Sequence, residues 1–93
     1  MLGQIPIDLS KVDKANINKE IARVGMIAEL DAVNLYEQLA AMATDPILKK
    51  VLLDIAKEEK THIGEFEAML FKFDQEQVKE TEEGKKEVEE LTG

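Results

Sequence analysis

The sequence has no cysteine and no tryptophan, and its 93 residues include only one arginine, one histidine and two prolines. Without cysteine it can form no disulfide, rubredoxin-type iron centre, iron–sulfur cluster or thiol nucleophile. Basic residues are outnumbered 12 to 20 by acids, for a net charge of −8. Nucleic-acid binding through phosphates needs clustered Lys and Arg, so it is not expected. No apolar run approaches the roughly 18 to 20 residues that would span a bilayer, so no membrane association is expected. Met1-Leu2-Gly3-Gln4 has no basic n-region and no long apolar stretch follows, so the chain reads as cytoplasmic. Aromatics make up only 4% of the residues, and Ala, Leu, Glu and Lys dominate, the composition of an all-α protein. A chain of this length buries only about two thirds of its unfolded surface. Stability must therefore come from packing, metal or further chains.

The chain divides into an arm (1–13), a helical hairpin (14–73) and an acidic C-terminal helix or tail (74–93). Gly3 and Pro6 punctuate the arm, which shows no sustained period. Asp13, Asn16 and Asn18 compete as the N-cap of the first helix. Ile17, Ile21, Val24, Ala28, Leu35 and Met42 then follow at multiples of three and four residues, the mark of one apolar helix face. In Thr44-Asp45-Pro46, Asp45 can cap the second helix and Pro46 suits its first turn. So short a connection makes the two helices antiparallel neighbours.

The second helix carries Leu48, Leu52, Ile55, Glu59, His62, Phe66, Met69 and Phe73 in strict alternation of four and three, a bundle seam with two polar residues inside it. Asp74 and Gln77 form a plausible capping box for a third helical segment, which Gly84 is expected to interrupt. From residue 74 onward eight acids face three lysines, contributing −5 of the −8. This tail reads either as a solvated helix or frayed tail, or as a docking element for another subunit or domain. Met26, Met42 and Met69 read as core filler.

Glu59-Lys60-Thr61-His62 is an E-x-x-H motif, and on a helix both ends of it reach one metal ion. With 14 glutamates in the chain the motif alone is weak, and a lone His is often a satisfied core residue. Its place in an apolar seam strengthens it, because a buried, unpaired carboxylate is costly and a cation is the usual remedy. A partner is expected at the same height on the first helix. Counting equally far from the turn near residue 44 leads from Glu59 to Glu29, each about 22 Å from the turn at 1.5 Å per residue. Around Glu29 the face reads Ala22, Gly25, Ala32, Tyr36, Leu39 and Ala43, and the small residues among these allow close helix approach. A mid-helix glycine costs about 1 kcal/mol relative to Ala, so Gly25 needs a packing reason.

A di-iron carboxylate bundle takes one Glu from each of two helices and an E-x-x-H from each of the other two. Two copies of the hairpin provide that set, so the expected fold is a ferritin-like four-helix bundle completed by homodimerisation. Hard oxygens with imidazole suit Fe(II), Mn(II) and Zn(II). Tyr36 could hydrogen-bond a ligand carboxylate or serve as an ordinary core tyrosine. Asp31 and Glu58, flanking the ligands, could lead cations inward or belong to a solvated face.

The run Glu29-Leu30-Asp31-Ala32-Val33-Asn34-Leu35-Tyr36-Glu37, then Asp45-Pro46, then Lys57-Glu58-Glu59-Lys60-Thr61-His62 resembles the encapsulated ferritins over roughly residues 20–73. The closing Lys86-Glu87-Val88-Glu89-Glu90-Leu91-Thr92-Gly93 is similar to the end of the ferritin-like domain at the N-terminus of some archaeal encapsulin shell proteins. The resemblance implies a ferroxidase that oxidises Fe(II) to Fe(III), with oxygen or peroxide as acceptor, at a di-iron site between two chains. It also implies a ring of dimers inside an encapsulin nanocompartment, the shell fused or associated, and iron storage there. On the motif match, Glu29, Glu59 and His62 are the catalytic iron ligands, with Tyr36 beside them. Two positions depart from the pattern: Ala28 stands where some members carry an acid that pairs with the one at Asp31 as a metal entrance, and Leu35 stands where some carry Trp. The competing readings are a non-catalytic, metal-dependent helical assembly module and a plain hairpin that oligomerises through its seam.

Overall fold

The computed structural model describes residues 8–93, so most of the expected N-terminal arm, with Gly3 and Pro6, lies outside the described residues. A short 3-10 turn, Leu9–Lys11, leads into three helices: α1 (Ile17–Met42), α2 (Pro46–Phe73) and α3 (Gln75–Thr92). There is no strand among the described residues. Of the three competing caps, Asn16 holds the N-cap position of α1. Asp13 supports it from outside, its Oδ1 accepting from the Asn16 backbone N–H at 3.1 Å and from Nδ2 at 2.9 Å.

The hairpin turn is built as its residues dictate. Ala43 leaves the helical region at ψ 133°, and its N–H closes α1 on Leu39 O at 3.0 Å. Asp45 then caps α2, its Oδ2 accepting from Leu48 N at 2.8 Å, with Pro46 in the first turn. The antiparallel pair is held by a narrow stripe of mostly small residues. Ala22, Val33 and Ala40 of α1 and Ala56 and Leu70 of α2 are the buried hydrophobic residues. Gly25 has the packing role that its helix cost required: a Cβ there would lie 2.6 Å from the Phe66 ring. On the outer side Lys60 Nζ reaches Glu37 Oε2 at 3.1 Å, an exposed pair worth about 0–1 kcal/mol.

The eight-residue seam of α2 does not form the hairpin's own core. Leu48, Met69 and Phe73 are 50%, 44% and 38% exposed, because the contact with α1 runs through Ala56 and Leu70, further round the helix. Met42 and Met69 are likewise exposed, not core filler, and Met26 is half-buried. Thirteen large hydrophobics are exposed against five buried hydrophobic residues among those described. That is far more apolar surface than a soluble single chain ordinarily shows water, and it is consistent with a four-helix bundle formed from two copies.

Helix α3 runs unbroken through Gly84, where the sequence predicts an interruption. Glycine weakens a helix without ending it, and the residues on either side of it are helix formers. Asp74 caps α3 by accepting from Gln77 N at 3.1 Å. The capping box is only half made, since the Gln77 side chain donates forward to Thr81 Oγ1 at 3.0 Å. The second Asp74 oxygen, Oδ2, accepts from Arg23 Nη2 of α1 at 2.8 Å. The sole arginine thereby ties the start of α3 to the hairpin. Beyond this joint α3 projects away, and the radius of gyration is 16.5 Å, against about 12 Å for a compact chain of this length.

Two predictions follow from these joints. Gly25→Ala should lower the melting temperature of the folded protein despite Ala's better helix propensity, because Phe66 must be pushed off its seat. Overpacking of this kind costs about 1–3 kcal/mol, whereas Gly84→Ala, with nothing within 4 Å of its Cβ, should gain up to about 1 kcal/mol. Circular dichroism melts of the two variants should therefore shift in opposite directions. The second concerns pH. The Gln77 backbone N–H first, and the Arg23 guanidinium with Lys19 in support, hold the Asp74 carboxyl below its usual 3.8. A lowered folded-state pKa means that Asp74's contribution is complete above about pH 4. It is lost as pH falls through the folded value. Asp74→Asn, which keeps a good cap but loses the ion pair, should loosen α3 at pH 7 and flatten this acid dependence, as read by amide hydrogen exchange along α3.

Candidate metal centre

Helix geometry places Glu59 and His62, three apart, on one face of α2. The fixed turn at Asp45 sets the register that lifts Glu29 of α1 to the same height. His62 Nδ1 lies 3.5 Å from Glu29 Oε2 and 3.5 Å from Glu59 Oε2. One ligand atom from each of the three residues falls within 4.8 Å of the others, and no other such group occurs among the described residues. Ligands about 2.1 Å from a shared ion are about 3.0–3.5 Å from one another, so the His62 contacts have the spacing of donors to one ion.

Burial and hydrogen bonding carry the same implication. Glu29 and Glu59 are each about four-fifths buried, with side-chain exposures of 21% and 19%, while His62 remains 46% exposed. Glu29 Oε2 is buried and has no hydrogen-bond partner. A carboxylate oxygen kept from water without a donor costs free energy that a divalent cation would recover. Two carboxylates and one imidazole, with no thiolate, suit a hard or borderline ion such as Fe(II), Mn(II) or Zn(II). The residues therefore fit a metal. Three donors from one chain fill only part of a coordination sphere, which leaves positions for a second chain or for substrate.

The remaining sequence candidates lie outside this group. Tyr36 is half-buried and does not hydrogen-bond Glu29 Oε2. Asp31 is half-buried and Glu58 is exposed, and neither contributes an atom to the cluster. A cleft of about 340 Å³ beside the cluster is lined by Glu29, His62, Glu65, Phe66 and Met69. Glu65 did not enter the sequence argument. The signal was there, since it stands one further i+3 step along the stripe that begins Glu59, His62.

A hairpin that sets a lone Glu on one helix against an E-x-x-H on the next has the ligand layout of half a ferritin-like bundle. The chain belongs to the EncFtn-like family, whose model matches residues 6–87. It is 57% identical over 74 residues to a ferritin-like-encapsulin shell fusion protein of Pyrococcus furiosus; these residues are 80% of this chain and 21% of that protein. The chain thus spans only a small part of the length of that relative. Its fold is similar to the crystal structure of the encapsulated ferritin domain from Pyrococcus furiosus, at 48% identity and a TM-score of 0.85, covering 100% of this chain and 97% of that one.

An orphaned carboxylate has a measurable consequence. In the presence of a chelator, Glu29→Gln should melt higher than the unmodified protein, because it removes one of two facing negative charges. With Zn(II) present the order should reverse: the unmodified protein gains about 2.7 kcal/mol at 100 times Kd, and the variant gains much less. Identical melts with and without Zn(II) for the unmodified protein would refute the metal centre.

Proposed function

We propose that the chain is a ferroxidase, oxidising Fe(II) to Fe(III) at a di-iron site completed by a second copy of itself. The observation that carries this is the meeting of Glu29, Glu59 and His62, with a buried Glu29 oxygen left without a donor. Two copies related by a two-fold axis supply four carboxylates and two imidazoles for two ions. The exposed seam on the same face as the ligands provides apolar surface for that dimer, and a ring of such dimers is the assembly that this reading proposes.

Iron is the substrate. Two Fe(II) ions yield two electrons, which reduce O2 with two protons to hydrogen peroxide, or peroxide with two protons to water. Anionic oxygens stabilise Fe(III) more than Fe(II), because the Coulomb term scales with the ion's charge, so Glu29 and Glu59 bias the couple towards oxidation. His62, partly exposed, turns its Nδ1 towards both carboxylates, the position from which an imidazole nitrogen can join them as a ligand of one ion. The fused architecture of the Pyrococcus relative supports an encapsulin shell, fused or associated, as the compartment in which Fe(III) is stored. No helix among the described residues is long and apolar enough to cross a membrane.

The test is anaerobic loading of the apo-protein with Fe(II) followed by admission of air. Fe(III) absorbance should grow well above the buffer rate, and His62→Ala should bring the rate down towards that background. Equal rates for variant and unmodified protein would overturn the assignment. Metal-dependent dimerisation without oxidation would instead identify a non-catalytic assembly module.

A further inference from the structure

We propose that Asp74 is a single-residue latch: its carboxylate alone keeps α3 bent away from α2, and releasing it lets the two helices join into one continuous helix. Helices usually end at a glycine in the left-handed region or shortly before a proline. Neither stands in Lys72-Phe73-Asp74-Gln75-Glu76, and no described residue has a positive φ. The ladder of α2 in fact runs to the bend, since the Asp74 N–H still donates to Leu70 O at 2.8 Å. Only then does the backbone turn extended, at φ −139° and ψ 90°. The next carbonyl, Phe71 O, accepts at 3.1 Å from the side-chain amide of Gln75, occupying the place that the Gln75 backbone N–H would take if α2 ran on.

Two donors hold Asp74 in that conformation. Its Oδ1 accepts from Gln77 N at 3.1 Å, and its Oδ2 from Arg23 Nη2 of α1 at 2.8 Å. The first is an N-cap bond, which requires a non-helical residue at Asp74, and the second ties that conformation to the hairpin. Little else fixes α3. No residue of α3 is buried, Val88 and Leu91 are exposed, and a cleft of about 290 Å³ separates Gln77 and Thr81 from Met26, Leu70 and Phe71. A continuous helix would give the backbone N–H groups that open α3 and the carbonyls that close α2 to one another, groups that a bend leaves without ladder partners. One carboxylate thus decides between two helical arrangements of the same segment. Straightening would carry the acidic segment, with its net −5, away from the hairpin and uncover Met26 and Phe71. Arg23 stands two heptads before Glu37, on the outer side of α1, so a second copy seated on the ligand face leaves the latch in place.

The chain has no cysteine, so a nitroxide pair can be attached through Lys57→Cys on α2 and Lys86→Cys on α3, both exposed positions. Labelled chain is diluted into excess unlabelled chain, and pulsed dipolar spectroscopy then reads distances within one chain. An unbroken helix sets the two positions about 44 Å apart at 1.5 Å per residue and runs about 70 Å from Pro46 to Thr92, whereas the bent chain measures only 47 Å in its longest dimension. The otherwise unmodified chain should show one distance well below 44 Å. Asp74→Ala should shift the main population to about 44 Å without loss of far-UV helicity, and Arg23→Gln, which keeps the cap and removes the ion pair, should show both distances. Lys79→Gln, a charge change on exposed α3, should keep the short distance alone. A short distance retained in Asp74→Ala overturns the proposal, as does a broad distribution with lost helicity, which would mean that α3 melts instead of joining α2. Should Asp74→Ala not fold, Arg23→Gln with only the short distance overturns it equally. A long distance in the Lys79→Gln chain would also overturn it, because the bend would then not belong to Asp74.

Discussion

The close approach of α1 to α2 is what the rest of the molecule depends on. Ala22, Ala40 and Ala56 are buried almost completely, and Gly25 gives up its side chain so that the Phe66 ring can lie against the α1 backbone. Larger residues at these points would separate the helices, and Glu29 could no longer meet Glu59 and His62. The stripe is also too slender to stabilise the hairpin alone. The same choice of small residues that brings the ligands together leaves Leu48, Val51, Met69 and Phe73 in water. Tight packing inside one chain and an apolar face left open for a second one thus have one physical origin.

Much of this was legible in the sequence because it followed from counting. The Asp45-Pro46 turn and the rise per residue fixed the level at which Glu29 faces Glu59, and the i, i+3 rule placed His62. What the sequence could not reveal was which of two adjacent apolar stripes on α2 meets α1. Heptad spacing marks both Leu48-Ile55-His62-Met69 and Ala56-Ile63-Leu70, and only three-dimensional packing assigns Ala56 and Leu70 to the hairpin interior. The Arg23–Asp74 pair, 51 residues apart in the chain, left no periodic trace. A single arginine among eleven lysines was the available hint, since its forked head is the one suited to a fixed carboxylate. Gly84 misled in the other direction: a residue that weakens a helix on average does not end one when helix formers flank it.

The centre and the tail use their carboxylates in opposite ways. Asp74 is satisfied on every side, by a backbone N–H and by a guanidinium, and so serves purely as a joint. Glu29 has its Oε2 buried and without a donor. An acid provided with donors stabilises the fold, and an acid deprived of them stores a demand for a cation. This difference in environment sorts the chain's acids by role more sharply than their number or the net charge does.

The three-residue connection after Met42 has a consequence for how such a chain can vary. Because Asp45 pins the start of α2 and both ligand helices are measured from that point, the hairpin works as a gauge. Losing one residue between Glu29 and Thr44, or between Pro46 and Glu59, would turn one ligand by about 100° and shift it by about 1.5 Å relative to its counterpart. A change of length before α1 or beyond Asp74 leaves both readings of the gauge untouched. Changes of length are therefore tolerable at the two ends of the chain and forbidden in its middle, so new segments can be joined to this unit without disturbing the meeting of Glu29, Glu59 and His62.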